Sequence, residues 1–186
     1  YLIHFNDTLA RLGLRLAAAV GVKEAAGAPE TPTAAGRARD IVLLGCFREG
    51  AALLDLVERE APALKERMLV IDFNTAARRR LEARGFQWLY GDLAHPQTLH
   101  HLGIENARLV ISSIPDTFLK GTTNRRLLEH LKHLAPHARL VMSAEDPTEA
   151  ERLARSGAHQ TVTPSMLTAV RLLELLRAEA AGRRDA

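Results

Sequence analysis

The chain has 186 residues, enough for one domain with a short extension, and 47% of them are hydrophobic, which suffices for a buried core. Its formal net charge is +3 and its arginines are scattered along the sequence, so the composition does not indicate binding to nucleic acid. The single cysteine, Cys46, excludes an internal disulfide, and no apolar run approaches the roughly 18 residues that span a bilayer.

The first 39 residues are predicted to form an amphipathic helix followed by a flexible linker. Apolar side chains recur there at intervals of three and four: Leu2, Phe5, Leu9, Leu12 and Leu16. Residues 17–39 are rich in Ala, Gly, Pro and Thr, a composition typical of linkers. Taken alone, the apolar stripe favours a helix that docks on its own domain over one that lies against a membrane. Because the chain begins at Tyr1 and not at Met, we expect it to be a piece of a longer protein.

From Asp40 onward, short apolar runs alternate with helical patterns. Strands are predicted at 41–45, Met68–Asp72, Gln87–Tyr90, Leu109–Ser112, 140–143 and Gln160–Val162. Helices are predicted at 50–60, 75–84, 96–102, 121–134, 147–156 and 165–180. Continuous apolar runs are typical of parallel strands that helices cover on both faces. The alternation therefore predicts an α/β fold with a Rossmann-like, doubly wound, six-stranded parallel sheet over residues 40–164, followed by a helix and tail at 165–186.

The loop after the first strand is similar to a glycine-rich phosphate loop. Gly45 ends the strand and Gly50 opens a predicted helix, but Phe47 replaces the middle glycine of the G-x-G-x-x-G fingerprint. Asp72 ends the second strand, where an exposed carboxylate can accept hydrogen bonds from both ribose hydroxyls. The alternative is that the glycines only turn the chain and Asp72 caps the next helix.

Two further stretches follow predicted strands at the edge where open α/β sheets bind ligands. In "YGDLAHP", Asp92 and Leu93 are placed to meet the edge and the face of an adenine ring. In "SSIPDT", the residues from Ser113 to Asp116 are placed to close the pocket from the other side. The alternative for both stretches is an ordinary turn.

The segments "GCFREG", "VIDFN", "YGDLAHPQTLHHLGI" and "SSIPDTFLKGTTN", in this order and spacing, resemble the N-terminal RCK (TrkA-N) domain. The likeness covers about residues 40–176 and is greatest to the version at the cytoplasmic end of Kef-type monovalent cation:proton antiporters. The segment "YLIHFNDTLARL" is similar to the stretch after the last membrane helix of those transporters, which favours the membrane-adjacent interpretation of the first helix.

The resemblance implies a nucleotide-binding regulatory module, usually a homodimer, and not an enzyme. It also implies an antiporter membrane domain in the same polypeptide, with this part at the cytoplasmic face of the bacterial inner membrane. The nucleotide-binding residues that it implies are Gly45, Cys46, Phe47, Arg48, Glu49, Gly50, Asp72, Phe73, Asn74, Asp92, Leu93, Ser113, Ile114, Pro115 and Asp116. The sequence departs from many relatives because it contains no membrane domain and no second, C-terminal RCK subdomain.

Enzymatic and metal-binding functions find little support in the sequence. No lysine lies four residues after Tyr90, as a catalytic Tyr/Lys pair would need, and no G-x-S-x-G motif occurs. Three histidines lie close together at positions 130, 133 and 137, but Pro136 ends the helix before the third, so no metal site is expected. Two alternatives stay open: a fragment of an NAD(P)-dependent oxidoreductase and a dimerisation module without a ligand.

The last predicted helix has more apolar surface than one side of a single domain can cover. It is therefore predicted to form a two-fold dimer interface, made by Leu167, Val170, Leu172, Leu173, Leu175 and Leu176. The alternative is a helix buried deeply within its own domain.

Phe47 also bears on which nucleotide binds. The middle glycine of the fingerprint lets the backbone approach a pyrophosphate closely, and a phenylalanine side chain narrows that approach. A single terminal phosphate can still use the charge of Arg48 and the N–H groups at the start of the following helix. The expected ligand is therefore a mononucleotide, AMP first, with NAD(H) as the runner-up.

Overall fold

The computed structural model describes residues 39–93 and 95–182, and for residues 96–98 and 181–182 it describes the backbone only. The predicted N-terminal helix and nearly all of the predicted linker lie outside the described residues, as does the end of the C-terminal tail.

Six strands and five α-helices alternate along the described chain. The strands are β1 (Ile41–Leu44), β2 (Met68–Asp72), β3 (Gln87–Tyr90), β4 (Leu109–Ser112), β5 (Arg139–Ser143) and β6 (Gln160–Val162). The helices are α1 (Arg48–Glu60), α2 (Thr75–Ala83), α3 (Asn124–Leu134), α4 (Pro147–Arg155) and α5 (Pro164–Gly182). All neighbouring strands run parallel, in the order β3-β2-β1-β4-β5-β6. The predicted Rossmann-like, doubly wound α/β fold is confirmed.

Helices cover both faces of the sheet, which explains the continuous apolar runs of its central strands. Successive side chains of a strand point to opposite faces, so Val42 and Leu44 belong to one core and Leu43 to the other. The larger core contains the buried leucines of α3 and α4, whereas the smaller core contains those of α1 and α2. All five residues of β2 are buried because the strand lies between β1 and β3 and is covered on both sides.

The predicted helix over 96–102 is wrong in type. The structure instead has two 3-10 helices, Pro96–His101 and Ile104–Asn106. Gly103 lies between them in the left-handed region, with a φ of 72°, and interrupts any continuous helix. Leu99 and Ile104 are fully buried, so each short turn fixes one apolar side chain in the larger core.

The start of α3 also differs from the prediction of a helix over 121–134. Gly121 has a φ of 85°, which no right-handed helix contains, and Thr123 accepts a hydrogen bond from the Arg126 N–H at 3.3 Å as the N-cap. The helix therefore begins at Asn124, and residues 113–123 remain a loop at the carboxyl edge of the sheet.

Helix α5 has no buried side chain among those that the structure describes. Every residue from 165 to 180 is exposed, including seven large apolar ones: Met166, Leu167, Val170, Leu172, Leu173, Leu175 and Leu176. The alternative of a helix buried within its own domain is therefore wrong. Among the described residues no helix is both long enough and apolar enough to serve as a membrane span.

Candidate nucleotide-binding crevice

The crevice lies where the strand order reverses. β1 pairs with β2 on one side and with β4 on the other, so the connections that leave their carboxyl ends diverge to opposite halves of the sheet. Open α/β sheets bind ligands at this point, outside the carboxyl ends of the strands. The loops after β1, β2, β3 and β4 meet there.

Two glycines allow the loop after β1 to pack closely against its neighbours. Gly45 has a φ of 84°, and a Cβ added to it would lie 2.0 Å from Cγ1 of Ile114. A Cβ on Gly50 would lie 2.6 Å from both the Gly45 carbonyl oxygen and Oγ of Ser113. The first glycine thus permits the turn, and the second lets the first turn of α1 press against the loop. Gly50 lies within this turn, since α1 begins at Arg48.

Asp72, the last residue of β2, also fixes the loop after β1. Its Oδ2 accepts a hydrogen bond from the Cys46 N–H at 2.5 Å, and its Oδ1 accepts one from the Asn74 N–H at 2.6 Å. The residue is only 5% exposed, so the expectation of an exposed strand end is wrong. The shielding comes from the two loops that the carboxylate ties together. Each carboxylate oxygen has a second lone pair, which a ribose hydroxyl can use.

Three other predicted nucleotide ligands are engaged in holding the backbone. Asn74 caps α2 by accepting a hydrogen bond from the Ala76 N–H at 3.1 Å. Ser113 donates its hydroxyl proton to the Gly45 carbonyl at 2.8 Å and thereby joins the loops after β1 and β4. Asp116 accepts hydrogen bonds from the backbone and side-chain amides of Asn124, at 2.6 and 2.8 Å. These side chains shape the crevice from behind.

Asn124 is a positioning residue that the sequence did not reveal. Its side chain is fully buried, and its Nδ2 also donates to the Ile114 carbonyl at 2.7 Å. Its Oδ1 accepts a hydrogen bond from the Ser112 hydroxyl at 2.9 Å. Asn124 therefore fixes the loop after β4 at both of its ends, and this loop is one wall of the crevice. An asparagine at the first position of a helix gives little signal in sequence, because its partners lie on another strand.

A cavity of about 560 Å³, the larger pocket, lies between the loops after β2 and β3 and the loop after β4. Its volume is within the range of small-molecule sites, roughly 300–1,000 Å³. Its lining residues are Phe73, Tyr90, Asp92, Leu93, His95, Ile114, Thr117, Phe118, Leu119 and Lys120. Four of these were predicted as nucleotide-binding residues: Phe73, Asp92, Leu93 and Ile114. The others were missed, although Tyr90 ends β3 and 117–120 belong to the segment that carries the family resemblance.

The lining of the larger pocket has the chemistry that a nucleoside needs. Phe73 and Tyr90 expose 57% and 55% of their surface, and such rings can stack on a base. Asp92 offers a carboxylate that can accept an N–H from a base, and its Oδ2 lies 2.8 Å from Nδ1 of His95. Lys120 adds a positive charge from the opposite wall.

A cavity of about 240 Å³, the smaller pocket, lies on the other side of Phe118. It is lined by Arg48, Glu49, Pro115, Thr117, Phe118, Ser143, Ala144, Glu145, Pro164 and Ser165. Oε2 of Glu49 is buried there and finds no hydrogen-bond partner among the described residues. Arg48 and Glu49 of this lining belong to the first turn of α1, so the smaller pocket combines one guanidinium with the carboxylates of Glu49 and Glu145.

The ring of Phe47 packs against that of Phe118, a residue that lines both pockets, and we call this pair the aromatic clasp. Their ring centroids are 4.6 Å apart and their planes are inclined at 45°. The Arg48 guanidinium carbon lies 5.2 Å from the centre of the Phe47 ring. The ring of Phe47 is therefore in contact with a residue of the opposite wall of the crevice.

The start of α1 faces the same crevice with free backbone donors. Phe47 is its N-cap residue and makes no side-chain capping bond, and the first helical hydrogen bond runs from the Ala51 N–H to the Phe47 carbonyl at 2.8 Å. The N–H groups of the first turn precede this bond, and such groups attract anions. Arg48 and Glu49 of this turn line the smaller pocket, and Glu49 is the acidic residue of the turn.

The family model for the TrkA-N domain matches residues 41–164, which include all six strands and the crevice. The chain belongs to the TrkA-N domain family. No curated protein matches the sequence.

Solved structures with the same fold include other TrkA-N domains. The TrkA-N domain of the inner membrane protein ybaL from Escherichia coli is 22% identical, with a TM-score of 0.63, over 75% of this chain and 97% of that one. The AMP-bound Kef C-terminal domain of Shewanella denitrificans is 22% identical, with a TM-score of 0.55, over 77% of this chain and 87% of that one. The NAD-bound GsuK channel is 21% identical, with a TM-score of 0.55, over 68% of this chain and 21% of its own. At these identities the likeness shows the fold.

Cys46, in the loop after β1 of this TrkA-N domain, is partly buried and packs against the smaller core. Burial raises the pKa of Cys46, and the neighbouring Asp72 carboxylate raises it further. A thiol with a raised pKa stays protonated at neutral pH and is a poor nucleophile. In the part of the chain that the structure describes, no three His, Cys, Asp or Glu side chains are grouped as metal ligands.

Proposed function

We propose that this TrkA-N domain is the cytosolic nucleotide-binding regulatory domain of a bacterial cation:proton antiporter, with AMP as its preferred ligand and NAD(H) as the runner-up. The observation that carries the proposal is a pocket of nucleoside size at the switch point of the sheet, next to the uncapped start of α1. Structural relatives support it, since the Kef C-terminal domain has an AMP-bound form and GsuK has NAD-bound and ADP-bound forms.

AMP would lie with its adenosine in the larger pocket and its phosphate at α1. The exposed rings of Phe73 and Tyr90 would stack on adenine, and the Asp92 carboxylate would accept a hydrogen bond from the exocyclic amine. Asp72 would receive the ribose hydroxyls on lone pairs that its backbone partners leave available. The phosphate would meet the first-turn N–H groups of α1 and the charge of Arg48. Gly45 and Gly50 would keep the loop out of its way.

Helix α5 supports the proposal of a homodimer. Seven large apolar side chains are between 46% and 67% exposed on a helix of 19 residues. Monomeric soluble proteins rarely expose so large a continuous apolar surface. We infer that a second copy of the chain covers α5, with residues 165–186 as the assembly segment and residues 40–164 as the nucleotide-binding body.

Regulation would follow from the arrangement of the whole polypeptide. The region 1–39 would connect the nucleotide-binding body to an antiporter membrane domain at the cytoplasmic face of the inner membrane. A nucleotide that ties together the loops after β1, β2 and β4 would favour one geometry of the dimer. The first helix and linker would transmit that geometry to the transporter, because a ligand shifts a conformational equilibrium by its difference in affinity for the two states.

An NAD(P)-dependent oxidoreductase is the second candidate, and it makes a different prediction. The domain would then oxidise NADH in the presence of a substrate, whereas a regulatory domain would bind NADH without consuming it. Incubation with NADH and a panel of carbonyl compounds, followed by absorbance at the NADH band, separates the two. Turnover that Asp92→Asn abolishes would favour the enzyme.

Calorimetric titration with AMP tests the proposed function directly, and IMP provides a matched ligand control. IMP carries a carbonyl oxygen where AMP has its exocyclic amine, so it would place an oxygen against the Asp92 carboxylate. We expect AMP to bind and IMP to bind at least roughly tenfold more weakly, the value of one hydrogen bond to a charged group. Native mass spectrometry of the purified protein should show a retained nucleotide on a dimer. The proposal is wrong if no adenine nucleotide binds, and the role of Asp92 is wrong if IMP matches AMP.

A further inference from the structure

The aromatic clasp divides the crevice at the place where a dinucleotide has to cross it. Thr117 and Phe118 line both the larger and the smaller pocket, so this part of the loop after β4 lies between them. Phe47 reaches the Phe118 ring from the loop after β1, on the other side of the switch point. In the doubly wound fold a bridging pyrophosphate passes between these two loops, from the half over β1–β3 to the half over β4–β6.

Both backbones that carry the clasp are fixed. On one side the carbonyl of Phe47 begins α1, and the preceding Cys46 N–H is bonded to Asp72. On the other side the Phe118 N–H donates to the Pro115 carbonyl at 3.0 Å, and the Phe118 carbonyl accepts the Lys120 N–H at 3.1 Å. The loop of Phe118 is further anchored by Asn124. The clasp therefore opens by rotation of the rings about their side-chain bonds.

The rings themselves are free to rotate at a modest cost. Phe47 is 40% and Phe118 46% exposed, so neither is locked in the core. What holds them is their mutual contact and the guanidinium of Arg48 beside the Phe47 ring. An aromatic pair and one exposed cation–π contact together correspond to roughly a fivefold to fiftyfold change in an equilibrium constant.

We propose that Phe118 is a specificity-determining residue of this domain and that it acts with Phe47 as one unit, which admits a mononucleotide and disfavours a dinucleotide. The inference rests on the proposed nucleotide-binding function and assigns its selectivity to a contact between two loops. A mononucleotide would place its nucleoside in the larger pocket and its phosphate at the loop after β1, on one side of the Phe118 ring, so it leaves the clasp closed. A dinucleotide must break the contact before its second half can enter.

The smaller pocket adds to this selectivity. Its volume of about 240 Å³ is less than half that of the larger pocket, and the carboxylates of Glu49 and Glu145 line it. The second half of NADH would enter only after the rings had parted, and its phosphate would then approach these carboxylates.

The test compares AMP and NADH affinities, by calorimetry, in six proteins. These are the wild type, Phe47→Ala, Phe118→Ala, the double variant, the conservative variant Phe118→Tyr, and Phe73→Ala as the matched control. Phe73 is an exposed phenylalanine of the larger pocket that takes no part in the clasp. Circular dichroism establishes that each variant is folded, which we expect because all three rings are exposed.

The clasp predicts a specific pattern of ratios. The wild type should prefer AMP, and either single clasp variant should shift the AMP-to-NADH affinity ratio toward NADH by at least roughly fivefold. The double variant should shift it no further, within about twofold, because one missing ring already opens the clasp. Phe73→Ala should weaken both ligands and leave the ratio unchanged, and Phe118→Tyr should retain the wild-type ratio.

The outcomes separate the clasp from the function on which it rests. If the wild type binds NADH at least as tightly as AMP, the clasp is wrong and nucleotide binding stands. The same holds if Phe118→Ala leaves the ratio unchanged. Single effects that multiply in the double variant mean that the rings act independently, which also contradicts the proposal. A wild-type chain that binds neither nucleotide overturns both proposals together.

Discussion

The nucleotide-binding body and helix α5 use the same apolar residues in opposite surroundings. Leu43, Leu54 and Leu128 in the body are fully buried, whereas Leu172 and Leu176 in α5 are 55% and 67% exposed. The body can close its own cores because a sheet has two faces, and two helices cover each of them. No sheet face remains for α5. Two segments of equal hydrophobicity thus differ in what their apolar side chains do: one buries them in its own cores and the other leaves them exposed.

We expect the largest effect from charged substitutions in the exposed apolar surface of α5. We expect the variant Leu172→Glu with Leu175→Glu to be a folded monomer, because each unpaired carboxylate buried in a dimer interface costs about 3–5 kcal/mol. Sedimentation velocity measures the change in mass. Arg171→Ala is the control, since Arg171 is an exposed residue of α5 that forms an ion pair with the exposed Glu174. A wild-type chain that sediments as a monomer at micromolar concentration would contradict the assembly role of α5.

Two leucine truncations, one in the body and one in α5, should differ in whether their effect depends on protein concentration. Leu128→Ala removes a fully buried side chain of α3 and should lower the free energy of unfolding by about 2–5 kcal/mol at any protein concentration. Leu173→Ala in α5 should lower it by an amount that grows with protein concentration, because only the dimer covers that side chain. Urea denaturation at two protein concentrations measures both. If Leu173→Ala gives a large loss that does not depend on concentration, α5 packs within its own chain.

Asp72→Ala should affect both the stability of the body and its ligand. The truncation leaves the Cys46 and Asn74 N–H groups without their acceptor, and we expect a loss of about 1–3 kcal/mol in the free energy of unfolding. AMP affinity should fall by a further amount worth about 1.5–3 kcal/mol if the carboxylate also holds the ribose. Asp55→Ala is the control, because Asp55 is an exposed partner of Arg84 and should cost less than about 1 kcal/mol.

Calorimetry at a temperature where the Asp72 variant remains folded separates its two effects. Unchanged AMP affinity there would leave Asp72 with a purely structural role. A change in the dimer dissociation constant would mean that the body and α5 are not independent.

The smallest expected effect lies at the opposite end of the sheet. Asp40 accepts two hydrogen bonds from Arg67, at 2.8 and 2.6 Å, and these bonds hold the pKa of Asp40 below its usual value. Because the folded-state pKa is depressed, this stabilisation is present above the unfolded-state pKa and is lost as the pH falls through the folded-state value. Arg67→Ala should lower the free energy of unfolding only slightly near neutral pH, since Arg67 is half-exposed, and by less in acid below the folded-state pKa of Asp40. A loss equal at both pH values would contradict this coupling.

Much of the fold could be predicted because its signals are local. Strands β2, β3, β4 and β6 begin and end where the apolar runs indicated. The N-terminal cap of α4 is also a local feature, because Asp146 accepts a hydrogen bond from the Glu149 N–H at 2.8 Å, only three residues away. The segment 96–102 was not readable, because whether two buried side chains are joined by an α-helix or by separate turns depends on the core that receives them.

The position of the candidate site was predicted better than the set of residues that line it. The crevice lies at the carboxyl ends of the strands, as the two glycines and the loops after the strands indicated, and four of the predicted residues line the larger pocket. Other predicted ligands, such as Asn74 and Asp116, are engaged in capping the helices behind it. Sequence spacing shows which side chains reach the edge of the sheet, and it does not show whether they point into the crevice or back into the loops.

The sequence by itself determined the alternation of strands and helices, the parallel sheet that follows from it, and the glycines that a tight loop requires, since backbone geometry and periodicity act over a few residues. Only the tertiary structure decided that Phe47 meets Phe118, that Asn124 fixes the loop after β4, and that α5 has no face buried. These features depend on which strands become neighbours, and strand order is set by the packing of the entire chain. Contacts between distant loops therefore leave no pattern in any one stretch of the sequence.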